Sequence, residues 1–391
     1  MKPRIAIVRG KFLNKYEMQM YVPLVDRYDV TAFGSLTAYH DSFAFPTVKL
    51  PSPMDVPEFP GKMPILNRLF VDAHYLWGLE KHLDGFDIVH SAETYFHFTQ
   101  QCLNARRAGK VKKVIATVLE TIPFNNEGIW GRKAFKARAR KELDHIVALT
   151  RKSKDALIRE GCDPEKITLI SHFVDTKRFV PGPGYLARIR DPKRRSLRIL
   201  FAGRLEEYKG IYDLLEAARR LLVDPALRDF RLVFHLVGGG SESPRVQALE
   251  KKLGIGSSFV HSCLSYDRMP AVYKEADIFV APSKPHFAKA SWGKPTIIWE
   301  EQYCTALLEA QAAGLPIVTT KTGGIPENIG DAGIVVAPGD IDALTTAIKR
   351  FIVDPDLRVQ FARRARTRAV RIHDSRIGAN KLDYLYRSLL T

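Results

Sequence analysis

Short β-branched runs alternate with amphipathic helical patterns along almost the whole chain, and the alternation occurs twice. In the first half the strand-like runs are Ile5–Val8, Val30–Phe33, Asp87–His90, Val114–Val118, Ile146–Leu149 and Ile167–Ile170. Helical patterns lie between them at Leu66–Leu83, Phe98–Ala108, Arg132–Leu143 and Lys152–Glu160. In the second half Leu197–Ala202, Leu232–Val237, Phe259–His261, Ile278–Ala281, Ile317–Thr319 and Ile334–Ala337 read as strands. Ile211, Leu214, Leu215, Ala218, Leu221 and Leu222 keep the spacing of a helix face. Such alternation predicts parallel sheets with helices on both faces. With 391 residues the chain is too long for one ordinary domain. The expected fold is therefore α/β, with two Rossmann-like, doubly wound parallel-sheet domains facing each other across a cleft.

The divisions follow from the turn formers. Pro181-Gly-Pro-Gly184 precedes a basic segment ending in Arg194-Arg195, which marks 181–196 as a linker. The first domain is then 1–180 and the second 197–371. The last helix, about 372–391, has Leu382, Leu385, Tyr386, Leu389 and Leu390 on one stripe and is expected to pack back on the first domain. Phe43–Pro64 holds Pro46, Pro51, Pro53, Pro57, Pro60 and Pro64, and reads as a surface excursion that is not helical.

Several classes of function drop out. No apolar run approaches the roughly 20 residues that span a bilayer. The start, MKPRIAIVRG, is too short and charged for a signal peptide and reads as a first strand. Four cysteines, Cys102, Cys162, Cys263 and Cys304, show no paired spacing, which argues against a disulfide framework or a zinc site and favours the cytoplasm. No phosphate-binding G-x-x-x-x-G-K-[ST] is present, and the loop after the first strand, Arg9-Gly-Lys-Phe-Leu-Asn14, is not G-x-G-x-x-G. The net charge of +17 draws the chain toward phosphates.

Four segments of the second half stand out. Phe201-Ala-Gly-Arg-Leu-Glu-Glu-Tyr-Lys-Gly210 places Arg204 just past a strand and Lys209 at a helix start, where two cations suit a diphosphate. Val237-Gly-Gly-Gly240 and Thr322-Gly-Gly-Ile-Pro-Glu327 are glycine turns at strand ends. Glu301 and Glu309 are eight residues apart across a helix start, with Thr305 as the expected N-cap. Eight helical residues span about 12 Å. That is too far for a retaining-glycosidase pair, whose carboxyls lie roughly 5 Å apart. The two glutamates suit opposite ends of one extended ligand.

In this order and spacing the four segments, with Tyr-Lys-Glu-Ala-Asp-Ile-Phe-Val-Ala-Pro-Ser (273–283) and Asp175, Phe179 and Pro181, resemble the family-4 glycosyltransferases of the GT-B fold. The resemblance covers nearly all of the second half and the first half only in outline. It implies a retaining transferase that moves a sugar from a nucleoside diphosphate donor to a glycan or lipid-linked acceptor. It implies no cofactor and no metal. Arg204, Lys209 and Glu301 match the catalytic positions. The donor-binding set is Gly10, Gly203, Arg204, Lys209, Leu264, Glu301, Tyr303, Cys304, Thr305 and Glu309. In it the cations meet the diphosphate, Glu309 the ribose and Glu301 the sugar. Glu120 and His90 are the acceptor-side candidates. Negative charge grows on the departing phosphate, so a fixed Arg/Lys pair favours the transition state over the ground state.

Three departures from the family pattern carry expectations of their own. Cys304 stands where the motif usually has glycine, either as a small residue tolerated at that turn or as a thiol open to alkylation beside the phosphates. Glu120 stands near a position many relatives give to histidine. Lys284–Lys294 is a basic, aromatic insertion containing Phe287 and Trp292, either a rim of the site or an ordinary loop. The basic stretch from Arg132 to Arg159 follows Trp130 and places Phe135, Ala139 and Leu143 on one helical face. That face either lies on an anionic membrane or packs on its own sheet. A second arginine-rich run covers 358–376. Together these features suggest a cytoplasmic enzyme, peripheral at the inner membrane face, in polysaccharide or glycolipid synthesis. The rival readings are a sugar-nucleotide 2-epimerase of the same fold and a polyanion-binding protein. No nucleic acid is expected, because no nucleic-acid motif accompanies the charge.

Overall fold

The computed structural model describes residues 2–288 and 296–391. The chain divides into two units, Met1–Phe173 with Ser375–Thr391, and Val174–Asp374. The N-terminal unit is built on seven strands: β1 (Arg4–Gly10), β2 (Asp29–Ser35), β3 (Thr47–Leu50), β4 (Phe86–Ala92), β5 (Val111–Val118), β6 (His145–Ala148) and β7 (Ile167–Leu169). They form one parallel sheet in the order β3-β2-β1-β4-β5-β6-β7. Successive residues of β1 feed opposite faces: Ala6 and Val8 join one buried cluster, Ile5 and Ile7 another. That near-continuous apolar run is what a strand covered on both faces requires.

The C-terminal unit repeats the plan. Its strands are β8 (Ser196–Ala202), β9 (Arg231–Val237), β10 (Phe259–Ser262), β11 (Ile278–Ala281), β14 (Ile317–Thr320) and β15 (Ile334–Val336), parallel in the order β10-β9-β8-β11-β14-β15. A separate antiparallel hairpin, β12 (His286–Ala288) and β13 (Thr296–Trp299), sits between β11 and β14 in the chain. In both sheets the strand order reverses beside the first strand: between β1 and β4, and between β8 and β11. Parallel sheets bind ligands outside the carboxyl ends of strands at such points.

Three expectations need correction. The proline-rich segment is more than an excursion: Thr47–Leu50 is an edge strand, and Lys62–Phe70 is a helix that runs through Pro64 in its first turn. Pro64 is tolerated in the helix because a first turn lacks a partner for the missing N–H, and the edge strand itself holds no proline, lying between Pro46 and Pro51. The single helix expected over Leu66–Leu83 is two, Lys62–Phe70 and Leu79–His82. It breaks at Val71, with φ 63°, where the chain turns to bury Asp72. The Asp72 carboxylate accepts hydrogen bonds from the His74 and His97 backbone N–H groups and pairs with Arg132.

The stretch 181–196 is not a free linker. Tyr185–Arg190 is a helix with Tyr185 and Ile189 buried, and Arg188 donates to the carbonyls of Lys274 and Ala276 within the same unit. The chain passes between units at Phe173/Val174 and again at Asp374/Ser375. The last helix, Ser375–Leu390, belongs to the N-terminal unit. Asp383 accepts from Arg27 at 2.9 Å and from the Tyr28 hydroxyl at 2.8 Å, while Leu382 and Tyr386 are fully buried.

Part of each basic run is taken up by the fold, while Lys133, Lys141, Arg151, Lys152, Arg159, Arg363, Arg364, Arg371 and Arg376 stay exposed. Phe135 packs edge-on against His97, and Ala139 and Leu143 are buried, so the apolar face of Arg132–Glu142 turns into its own unit. Lys136 pairs with Glu160 at 2.5 Å and Arg140 with the same carboxylate at 3.3 Å. In the 358–376 run, Arg358 donates to the carbonyls of Ile189, Phe351 and Ile352, and Arg366 to those of Thr176, Phe179 and Ala312.

Candidate functional site

The site residues of the C-terminal unit converge on its sheet reversal. β8 leads directly into Gly203 and Arg204, and β11 into Pro282 and Ser283. A short 3-10 turn, Glu207–Lys209, carries Lys209 into the following helix, Ile211–Leu222. Gly210 at that junction has φ 73°, and a Cβ there would lie 1.9 Å from the carbonyl oxygen of Pro282. The Lys209 turn is thereby pressed against the end of β11, which only glycine permits.

Lys209 reaches Glu301 across this junction, with Nζ 2.5 Å from Oε2. The same oxygen accepts from the Ser283 hydroxyl at 3.0 Å. Arg204 is exposed, with its guanidinium carbon 5.5 Å from the Tyr208 ring centre; Lys209 Nζ lies 6.0 Å from that ring. The structure thus brings Arg204 and Lys209 to one aromatic ring, with Glu301 paired to Lys209.

Glu309 sits one turn into the helix Thr305–Ala312, buried. Its two oxygens accept from the hydroxyls of Tyr266 at 2.7 Å and Tyr273 at 2.8 Å. Burial pushes its carboxyl up to about 7. Leu264, two residues before Tyr266, is exposed just past the end of β10. The two carboxylates of the spaced pair therefore have separate partners. Thr305 is not the N-cap. That position is Cys304, in left-handed backbone with φ 52°, where no side chain caps the helix. The turn is held instead by Asn328, whose amide donates to the carbonyls of Tyr303 and Cys304. The Cys304 thiol is not primed for alkylation: burial, then the nearby Glu301 charge, pushes it up to about 12, and a protonated thiol is a poor nucleophile.

On the N-terminal unit, Gly10 ends β1 with φ 54°, packed against Phe98. His90 is corrected: it is wholly buried, with one ring nitrogen bonded to the Tyr386 hydroxyl at 2.7 Å and the other to the Thr117 hydroxyl at 2.7 Å. Burial, and then Arg9, hold its pKa well below the usual histidine value. It offers no free ring nitrogen to an acceptor. Glu120 folds back on its own loop, accepting from the N–H groups of Thr121 and Ile122 at 2.9 Å each and from Asn125 at 2.7 Å.

Sequence reasoning missed Glu93. It follows β4 at the reversal of the first sheet, with φ 55° in left-handed backbone. It is buried; Oε1 accepts from the N–H groups of Leu119 and Glu120, and Oε2 has no hydrogen-bond partner among the described residues. Burial, reinforced by the Glu120 charge, pushes its carboxyl up to about 8. A lone Glu after a strand carries no signal in sequence; strained backbone and an unmatched acid are visible only in three dimensions. Of the aromatic insertion, Trp292 lies outside the described residues, whereas Phe287 belongs to β12 and is exposed. No group of three or more potential metal ligands occurs among the described residues.

Two family models match the chain: "Glycosyltransferase Family 4" over residues 24–178 and "Glycosyl transferases group 1" over residues 188–368. The chain belongs to the family-4 glycosyltransferases. A D-inositol 3-phosphate glycosyltransferase of Geodermatophilus obscurus is 33% identical over 238 residues, covering 57% of this chain and 48% of the relative. A GDP-mannose-dependent alpha-(1-6)-phosphatidylinositol monomannoside mannosyltransferase of Mycolicibacterium smegmatis is 29% identical over 232 residues, covering 52% and 57%. The match thus spans about half the length of these curated relatives. A glycosyltransferase of Rickettsia africae has a TM-score of 0.71 at 18% identity over 100% of this chain and 99% of its own. Anabaena HepE, solved in complex with UDP and glucose, has a TM-score of 0.72 at 15% identity over 99% and 100%. At that identity the likeness shows the fold, which is GT-B.

Proposed function

We propose that this family-4 member moves a sugar, with retention and without a metal, from a nucleoside diphosphate donor to a hydroxyl of a glycan or lipid-linked acceptor. The observation that carries the reading is the convergence of Arg204, Lys209 and Glu301 where the strand order of the C-terminal sheet reverses. As the bond between the sugar's anomeric carbon and the β-phosphate oxygen breaks, charge gathers on the leaving diphosphate. Arg204 and Lys209 supply fixed positive charge there. For Lys209 to meet phosphate it must share or release Glu301, which is then free to accept from a sugar hydroxyl. Glu309, oriented by Tyr266 and Tyr273, retains lone pairs for ribose hydroxyls. Leu264 lies on the surface nearby in sequence, for the base. Relatives named for inositol phosphate and phosphatidylinositol mannoside substrates support a polar, phosphate-bearing acceptor.

The test is a thermal-shift screen of nucleoside diphosphate sugars, followed by product analysis with and without EDTA. A binding donor raises the melting temperature by mass action. Lys209→Met should lower kcat/KM by about 10²–10³, with the product's anomeric configuration matching the donor's. Turnover near the parental rate in that variant would remove Lys209 from the chemistry.

No helix among the described residues is long and apolar enough to cross a membrane. A peripheral contact with an anionic membrane, from the cytoplasmic side, is part of the proposal. It is supported by Leu69 and Trp130, which are 70% and 61% exposed, with the Arg68 guanidinium 5.1 Å from the Trp130 ring centre.

A further inference from the structure

The hairpin between β11 and the Glu301 segment has no part in either sheet, yet its last residue, Trp299, packs directly against the Lys209 turn. The Trp299 and Tyr208 ring centres are 4.3 Å apart at 51°, and His286, paired with Trp299 across the hairpin, lies 6.3 Å from Tyr208. Lys209 Nζ is 5.0 Å from the Trp299 ring centre, closer than to Tyr208. Both distances are within the reach of a cation–π contact. We propose that Trp299, with Tyr208, is an aromatic clamp that positions the Lys209 ammonium to meet the donor diphosphate, and that the hairpin exists to deliver this ring. The proposal rests on the donor-site reading given above.

Three observations support it. First, the hairpin base is fixed to the turn it serves. The Lys284 N–H donates to the Tyr208 carbonyl at 2.9 Å, Lys284 Nζ pairs with Asp213 at 3.0 Å, and the Thr320 hydroxyl donates to the Ser283 carbonyl. Second, a lysine on a flexible four-carbon stem loses substantial rotamer freedom when it is held in one pose. An indole face can hold it beforehand. Third, the ring does this without cancelling the charge. Glu301 alone would hold the ammonium as an ion pair and compete with phosphate for it. The ring contact survives as Lys209 turns from Glu301 Oε2 to a phosphate oxygen. Tyr208, placed between Arg204 and Lys209, lets two like charges share a small region at lower cost.

The experiment is calorimetric titration of the full chain with inorganic pyrophosphate, which carries the diphosphate and no base. Trp299→Leu removes the π face and should weaken binding roughly two- to thirty-fold; Trp299→Phe should restore most of it. In a Lys209→Met background, Trp299→Leu should add no further loss, because the ring acts through the ammonium. Tyr208→Leu serves as the second variant should the hairpin collapse, and should weaken binding in the same direction. Parental affinity in Trp299→Leu, an undiminished loss in the Lys209→Met background, or failure of Trp299→Phe to restore binding would each overturn the clamp. Lys209→Met binding pyrophosphate as tightly as the parent would instead overturn the underlying diphosphate reading.

Discussion

Replacing Gly323 by alanine should destabilise the C-terminal unit by about 2–4 kcal/mol and weaken donor binding with it. Gly323 lies in the turn after β14 with φ 52°, and a Cβ built there would stand 1.8 Å from the carbonyl oxygen of Glu301. Ordinary contact begins at 3.4 Å, so one backbone or the other must move by well over an ångström. The left-handed conformation alone costs an L-residue about 1 kcal/mol. Forcing an extra methyl into a closed contact costs roughly 1–3 kcal/mol more. The same carbonyl accepts from the Gly324 N–H at 2.8 Å, and that bond is strained or lost. Gly254→Ala isolates the first contribution: Gly254 has φ 71° in the same unit, and its Cβ would meet nothing within 4 Å. Urea unfolding of both variants, with the transition of the C-terminal unit fitted separately, gives the difference. The displaced Glu301 backbone carries the side chain that holds Lys209, so pyrophosphate affinity should fall in Gly323→Ala and stay parental in Gly254→Ala. Equal unfolding free energies for the two variants would refute the close-contact argument.

Other outcomes follow from the N-terminal unit. Glu93 ionises near 4.5 when unfolded and near 8 when folded, so stability falls as pH rises between those values. At pH 7 the deficit is about 3 kcal/mol. Glu93→Gln should therefore raise the melting temperature above neutrality, change it little below pH 4.5, and flatten the profile between; an unchanged pH profile would exclude the buried acid as its source. Arg132→Met leaves the buried Asp72 carboxylate without its 2.6 Å partner and should cost about 3 kcal/mol in chemical unfolding. A loss under 1 kcal/mol would mean that His74 and the His97 N–H suffice. In co-sedimentation with vesicles of mixed neutral and anionic lipid, a Leu69→Ser and Trp130→Ser double variant should release most of the bound protein, and retention at the parental level would place any membrane contact elsewhere.

Apolar periodicity alone determined that this chain makes two parallel α/β sheets, because strand and helix spacing report local backbone geometry and burial. The cations near strand ends were legible for the same reason: Arg204 and Lys209 follow β8 within a few residues, and parallel sheets present those ends to ligands. Sequence also singled out Glu301 and Glu309, by spacing and family likeness. What each side chain touches came only from the tertiary structure. Glu301 meets Lys209 across 92 positions, Glu309 meets two tyrosines from the β10–β11 connection, Glu93 meets the loop after β5, and Trp299 meets Lys209 from a hairpin that no periodicity announced. The sharpest reversals have one cause. Arg132, Lys136, Arg140 and the helix at 185–190 looked like surface features, because charge and turn formers suggest exposure, and His90, at the end of a strand, looked open to an acceptor. The fold buried or paired them, since crossover connections decide which strand ends and helix faces become neighbours, and nothing local in the chain records that choice.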